Sequence, residues 1–288
     1  MAGTGRNHGD ARHGPVPLLS YGTAWKKERT EGLVRKALAA GFRGIDTANQ
    51  LKHYFEAGVG AAIAAAIRAG EVERKDLFLQ TKFTFLDGQD HRLPYDPAAP
   101  IAAQVEQSFA SSLEHLGVAR LDSYVLHGPS VRGALADADW EAWAAMERLQ
   151  QAGKTRLVGV SNVTLAQLKE LHAKAVVKPA IVQNRCYASR GWDREVRAFC
   201  TREGILYQGF SLLTANQDAL RAPAMKKISV RTGLTPTQIV FRFAVLSGMV
   251  ALTGTTSPVH MAEDLAAIDG KGVALRPDEV EAIEKIVA

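Results

Sequence analysis

Six polar residues stand at or near the ends of apolar runs, and their types are those that move protons and hold amides. Asp46 closes the run 42–46, Lys82 closes 77–82 and His127 closes 121–127. Ser161 and Asn162 close 157–161, and Gln183 lies within 181–185. A charge buried at the end of an apolar strand must be paired, because desolvation otherwise outweighs what packing returns. Asp46 and Lys82 are the natural pair. A carboxylate beside Lys82 keeps the amine protonated, which disfavours a Schiff-base nucleophile there. Asn and Gln each offer a donor and an acceptor, the complement of a carboxamide. Singly, each residue reads as a structural salt bridge or a satisfied polar group. As a set at the C-terminal ends of parallel strands they read as a site.

The elements that would position them follow from the hydrophobic pattern. Strand candidates fall at 18–23, 42–46, 77–82, 121–127, 157–161, 181–185, 205–210 and 250–254. Tyr124-Val125-Leu126 and Leu157-Val158-Gly159-Val160 are apolar nearly throughout, which suits a parallel sheet buried on both faces. Helical patterns lie between them at 32–40, 59–69, 101–116, 140–151, 165–172, 192–202 and 236–246. Another opens at Pro258, and the last covers 277–287. Gly41, Gly70, Gly117, Gly153 and Gly204 supply helix stops, Thr164 a cap, and Pro236 a first turn. Eight strand–helix repeats predict an α/β fold, a (β/α)8 TIM barrel. It is expected as a single domain over 16–288, after a disordered or frayed tail at 1–15. No GxGxxG follows any strand, which argues against an open doubly wound sheet. The connections 84–100 and 212–234 are long, and long connections in compact domains serve as lids or binding segments.

The chain has 288 residues, 47% of them hydrophobic and 23% charged, which excludes a mainly disordered protein. Its formal charge of +5 comes without a basic run, so nucleic acid is not an expected partner. Mild basicity favours anionic small molecules such as nucleotides. Cys186 and Cys200 fit neither a disulfide framework nor a metal spacing, so free buried thiols and no metal are expected. Residues 1–15 lack the apolar stretch of a signal peptide, and no apolar run of about 18 residues exists, so no membrane span is expected. The expected setting is the cytoplasm, with a monomer or weak oligomer acting on a small molecule.

The run Gly41-Phe-Arg-Gly-Ile-Asp-Thr-Ala48 resembles the signature of the aldo-keto reductase family. So do Thr81-Lys82-Phe83, Leu121-Asp-Ser-Tyr-Val-Leu-His127, Gly153-Lys-Thr-Arg-Leu-Val-Gly-Val-Ser-Asn162 and Gln183. The resemblance runs from about Pro17 to the C-terminus. It implies a barrel with a nicotinamide cofactor across its mouth and a catalytic tetrad of Asp46, Tyr54, Lys82 and His127. The chemistry of these four is coherent. Carbonyl reduction needs a general acid at the developing alkoxide. A free phenol, with a pKa of about 10, is too weak, and a neighbouring ammonium lowers that value. Asp46 would hold Lys82, and His127 would donate a hydrogen bond to the carbonyl oxygen. The reverse, alcohol oxidation, would use Tyr54 as base.

This chain departs from the family in places. Asn49-Gln-Leu-Lys-His53 intervenes before Tyr54, where the family spaces its Asp and Tyr more closely. A gapless match counted back from Glu56 places His53 at the acid position instead. The mechanism favours Tyr54, leaving His53 as a pocket residue. Gly128 replaces the family's Trp after the His, which widens the mouth. Trp25, His53, Tyr54 and His127 would line the substrate pocket, with the loop 86–94.

For the cofactor, the resemblance implies Thr23, Asp46, Ser161, Asn162 and Gln183 near the nicotinamide. Phe210 would stack on its ring, although plain core packing explains an aromatic there equally well. Ser211 and Leu212 would cover the pyrophosphate. At the adenosine end the family's 2′-phosphate Lys and Arg are replaced by Gly254 and His260. Thr255 and Thr256 offer hydroxyls, and Glu263 and Asp264 match the adenine-side pair. NADP(H) is favoured, with NAD(H) the alternative. Two other readings stay open: a nucleotide-binding barrel without turnover, acting as sensor or subunit, and a Schiff-base lyase using Lys82.

Overall fold

Apolar runs that can be buried on both faces belong at the centre of a fold, with amphipathic helices outside them. That arrangement holds in the computed structural model, which describes residues 7–8, 13–270 and 272–286. Eight strands form the barrel: β1 (Leu19–Gly22), β2 (Gly44–Asp46), β3 (Phe78–Phe83), β4 (Leu121–Leu126), β5 (Thr155–Ser161), β6 (Ile181–Arg185), β7 (Leu206–Phe210) and β8 (Met249–Thr253). Their hydrogen-bonding order, β8-β1-β2-β3-β4-β5-β6-β7, closes on itself. Every residue of β2, β3 and β8 is buried. The helices are α1 (Thr30–Ala40), α2 (Glu56–Arg68), α3 (Ile101–Leu116), α4 (Asp137–Gln151), α5 (Leu165–Lys174), α6 (Arg194–Glu203), α7 (Gln217–Leu220), α8 (Pro223–Thr232), α9 (Pro236–Leu246), α10 (Pro258–Ile268) and α11 (Pro277–Glu284). Among the described residues, no helix is long and apolar enough to cross a membrane.

The chain divides into two compact units, Tyr21–Val182 and the pair of segments Met1–Ser20 and Gln183–Ala288. In the first unit, small residues let α2 and α3 approach closely. A Cβ on Gly60 would lie 2.1 Å from the His115 carbonyl oxygen, so no side chain fits there. In the second unit, Trp192 is fully buried, and its Nε1 donates to the Ile283 carbonyl at 2.9 Å. Asn7–His8 pairs antiparallel with Val16–Pro17. The rest of the expected N-terminal tail up to residue 12, and Val287 of the last expected helix, lie outside the described residues.

Two expectations need correction. The connection 212–234 is not a loop throughout: it carries α7 and α8. Pro223 sits in the first turn of α8, where its missing N–H costs nothing, and Met225 and Ile228 are buried. The helix expected from 192 begins at Arg194, because Gly191, Trp192 and Asp193 hold left-handed φ angles of 64°, 56° and 55°. By contrast, 84–100 carries no α-helix, only short turns such as Leu86–Gly88.

Candidate active site

Strand register in the unit Tyr21–Val182 builds the charged centre. Asp46, the last residue of β2, pairs with Gln80 of β3. Gln80 and Lys82 are two apart and share a strand face. Gln80 Nε2 donates to Asp46 Oδ1 at 2.7 Å. Lys82 Nζ lies 2.7 and 2.8 Å from the two Asp46 oxygens and 2.7 Å from the Thr47 carbonyl oxygen. Three acceptors thus meet the three hydrogens of an ammonium. The Lys82 side chain is fully buried, and burial pushes its pKa down. Asp46 and then Glu56 oppose that push without overcoming it. Thr23, expected to touch the cofactor, donates both its Oγ1 and its backbone N–H to the Asp46 carbonyl, each at 3.0 Å.

Two rings meet this pair. Lys82 Nζ is 5.4 Å from the Tyr54 ring centroid, and the Tyr54 and His127 rings are 5.8 Å apart, edge to face. His127 follows β4 directly, and its N–H donates to the Phe83 carbonyl at 2.8 Å. Burial first, then the positive charges of Lys82 and His53, push the His127 pKa down to about 3. Its imidazole is therefore neutral at physiological pH, fit to polarise a carbonyl as a hydrogen-bond donor. His127 Nδ1 lies 2.7 Å from Thr84 Oγ1.

The segment between Asp46 and Tyr54 is pinned from several sides. Asn49 Nδ2 donates to the Ser108 carbonyl at 2.9 Å, and Gln50 Nε2 to the Gly88 carbonyl at 2.6 Å. The loop after β3 supplies two further contacts, Gln89 Nε2 to the Asn49 carbonyl and Arg92 Nη2 to the Leu51 carbonyl. Tyr54 N–H closes a turn on the Gln50 carbonyl at 2.9 Å. The extra residues before Tyr54 are thus folded into a fixed turn. The His53 ring lies against Trp25, tilted by 42° with centroids 3.9 Å apart, and its Nδ1 lies 2.8 Å from Gln50 Oε1. Trp25 itself is 65% exposed. At the start of α2, Glu56 is buried, accepts from Thr81 and Ser112, and pairs with His115 at 3.2 Å. Asn162, exposed and left-handed at φ 56°, donates from Nδ2 to the His127 carbonyl at 2.8 Å and to Ser161 Oγ at 3.1 Å.

The unit from Gln183 onward holds the other expected cofactor residues. Gln183 is buried and donates to Gln208 Oε1 at 2.8 Å. Phe210 ends β7 half-buried, with the Arg185 guanidinium 5.5 Å from its ring. Ser211 is left-handed, φ 57°, and Leu212 is packed into the interior. Buried Asn216 ties this turn down, donating to the Cys186 and Leu212 carbonyls and accepting from the Ala188 N–H. After β8, Gly254 and Thr256 are exposed and Thr255 half-buried. Ser257 caps α10 by accepting from the His260 N–H. His260 and Glu263 are exposed, whereas Asp264 is 1% exposed and accepts from Thr253 Oγ1 at 2.8 Å. Burial raises its pKa to about 6. Among the described residues, no group of three or more His, Cys, Asp or Glu side chains is arranged to hold a metal ion.

Sequence reasoning missed Gln80, Thr84 and Asn216. Gln80 was signalled by its two-residue offset from Lys82. Nothing in the local pattern marked the other two.

Comparison with known proteins gives the chain a family. Residues 18–288 match the profile described as the aldo/keto reductase family. Methylglyoxal reductase DkgA of Escherichia coli (strain K12) is 29% identical over 274 residues, covering 94% of this chain and 90% of that protein. The uncharacterized oxidoreductase YtbE of Bacillus subtilis (strain 168) is 29% identical, covering 88% and 84%. A crystal structure of an aldo/keto reductase from Brucella melitensis superposes with a TM-score of 0.80 at 27% identity, covering 98% of this chain and 99% of that one.

Proposed function

The chain belongs to the aldo/keto reductase family, and from that premise we propose that it reduces aldehydes or ketones to alcohols, reversibly, with NADPH the favoured reductant. The observation that carries this reading is the buried Asp46–Lys82 pair with the Tyr54 and His127 rings beside it. The name of the Escherichia coli relative, a methylglyoxal reductase, supports a carbonyl substrate.

The chain's own groups suit a nicotinamide dinucleotide. Asn162 spends its side-chain N–H groups on His127 and Ser161, which leaves its oxygen to accept from a carboxamide. Ser161 adds a hydroxyl for the same amide; in the unit from Gln183 onward, Gln183 offers an amide and Phe210 a ring face. Thr255, Thr256 and Ser257 bring hydroxyls to the N-terminus of α10, where free N–H groups and the helix dipole favour phosphate. Ser211 and Leu212 would cover the pyrophosphate through their backbone. Gly254, His260, Glu263 and Asp264 would border the adenosine.

When bound, the cofactor supplies a hydride to the carbonyl carbon. Tyr54 gives the proton to the carbonyl oxygen, and the Lys82 ammonium eases its release. Asp46 keeps that ammonium charged and fixed. Neutral His127 donates a hydrogen bond that orients the carbonyl and steadies the developing charge. Trp25 and His53 line the pocket, with Tyr54 and His127 at its reactive end. The Schiff-base alternative is disfavoured by the three acceptors on the Lys82 ammonium. One observation favours NADH over NADPH: positions 254 and 260 carry Gly and exposed His rather than cations.

Steady-state turnover of 4-nitrobenzaldehyde tests this reading. Tyr54→Phe should lower kcat by about 10²–10⁴-fold while NADPH still quenches Trp fluorescence. Undiminished activity in Tyr54→Phe, lost in His53→Ala, moves the acid to His53. Failure of the wild type to bind either cofactor sinks the reductase reading.

A further inference from the structure

We propose that Thr84 is a positioning residue that holds the proton of the His127 imidazole on Nε2, the nitrogen that would meet the substrate carbonyl. The proposal rests on the reductase reading and names the device that makes His127 a donor.

Thr84 follows Lys82-Phe83 at the end of β3 and is 6% exposed. Its Oγ1 lies 2.7 Å from His127 Nδ1. A neutral imidazole carries one N–H, and a hydroxyl carries one hydrogen. Two arrangements fit the distance: Thr84 accepts from a protonated Nδ1, or donates to a bare one. In the first, the hydroxyl hydrogen needs another acceptor. Thr84 Oγ1 makes no other hydrogen bond among the described residues, so that hydrogen would be buried and unsatisfied. A lost partner costs a buried donor its full desolvation. In the second arrangement both groups are satisfied, Nδ1 is bare, and the N–H is on Nε2.

The surroundings hold the pair in that state. The Thr84 carbonyl accepts from Tyr95 Oη at 2.9 Å and from Gln89 Nε2 at 3.3 Å. Its methyl group fills the space a side chain at Gly88 would need, since a Cβ there would lie 2.6 Å from Thr84 Cγ2. The His127 backbone is tied at both ends, to the Phe83 carbonyl and to Asn162 Nδ2. Nε2 has no hydrogen-bond partner among the described residues, so its N–H is available to a carbonyl oxygen. Burial and the Lys82 charge keep the ring neutral, without which the tautomer would have no meaning.

The test reads the ring nitrogens directly. Protein labelled in its histidine ring nitrogens gives distinct chemical shifts for protonated and bare nitrogens, with His127→Asn assigning the signal. Wild type should show bare Nδ1 and protonated Nε2. Thr84→Val should show a mixture of the two tautomers, with kcat about tenfold lower and KM little changed. Thr84→Ser should restore both the shifts and kcat. Protonated Nδ1 in the wild type, or unchanged shifts in Thr84→Val, overturns the proposal. The spectra need no turnover. A protein that reduces no carbonyl yet shows the expected shifts would break the reductase reading and leave the Thr84–His127 arrangement standing.

Discussion

Buried charge is handled differently in the two units of the chain. Within Tyr21–Val182, Lys82 and Asp46 are both buried and hydrogen-bonded to each other, and buried Glu56 faces His115. From Gln183 onward, the expected cofactor residues are mostly uncharged or exposed, and the buried carboxyl of Asp264 meets the Thr253 hydroxyl. Ion pairs there, such as Arg231–Glu279, join helices rather than strand ends. The contrast follows from what each set of residues is proposed to do. Stabilising charge that develops during a reaction needs fixed, preorganised ions. Holding an extended dinucleotide needs many weak contacts, and hydroxyls and backbone N–H groups suffice.

The largest expected effect breaks the paired side of this comparison. Lys82→Met leaves the Asp46 carboxylate buried with Gln80 Nε2 as its side-chain donor. Removing one partner of a buried pair costs about 3–5 kcal/mol. Urea unfolding should show a loss of that size in Lys82→Met, along with loss of carbonyl reduction. The double variant Lys82→Met/Asp46→Asn should recover most of the stability and none of the turnover. Equal stability of Lys82→Met and wild type would mean that the pair contributes nothing to the fold.

What the sequence could say divides along physical lines. The barrel was legible because apolar strands and glycine-terminated helices repeat at a regular spacing, and each signal is local. Helix α8 was not, because Pro223 serves equally as loop punctuation and as a first-turn residue; burial of Met225 and Ile228 decides it. Asp46 and Lys82 were legible as a pair, since charges at the ends of apolar strands need one another. The rival claims of His53 and Tyr54 were not. Counting residues does not locate a ring when the turn 49–53 is set by Ser108, Gly88 and Gln89, which lie far along the chain. Thr84 was invisible for the same reason: a single threonine acquires its role only beside His127.

The side from Gln183 onward can be sharpened through Asp264. Its folded pKa, raised by burial to about 6, exceeds the unfolded value of about 3.9. Between these values the native state binds the proton and the unfolded state does not. Stability from this group is therefore present below about pH 4 and lost as the pH rises to about 6. Asp264→Asn keeps an acceptor for Thr253 without that titration. The unfolding free energy of wild type relative to Asp264→Asn should fall by about 2–3 kcal/mol across this window and stay level above it. A flat difference from pH 4 to 7 would place Asp264 among groups that ionise freely.

The smallest effect concerns the phosphate end of the proposed cofactor. If hydroxyls and backbone groups alone serve there, adding cations should discriminate between the two dinucleotides. Gly254 and His260 are both exposed, so Lys and Arg fit without burying charge. A charge-assisted hydrogen bond to a 2′-phosphate is worth about 1.4 kcal/mol or somewhat more, roughly tenfold in Kd. His260→Arg, and separately Gly254→Lys, should each tighten NADPH by about tenfold and leave NADH within about twofold, measured by Trp fluorescence. Tightening of both cofactors alike would point to general attraction of a dinucleotide by added positive charge. Tightening of neither would move the 2′-hydroxyl end away from β8 and α10. Selective tightening of NADPH would mean that choice between the two cofactors is set by residues 254 and 260.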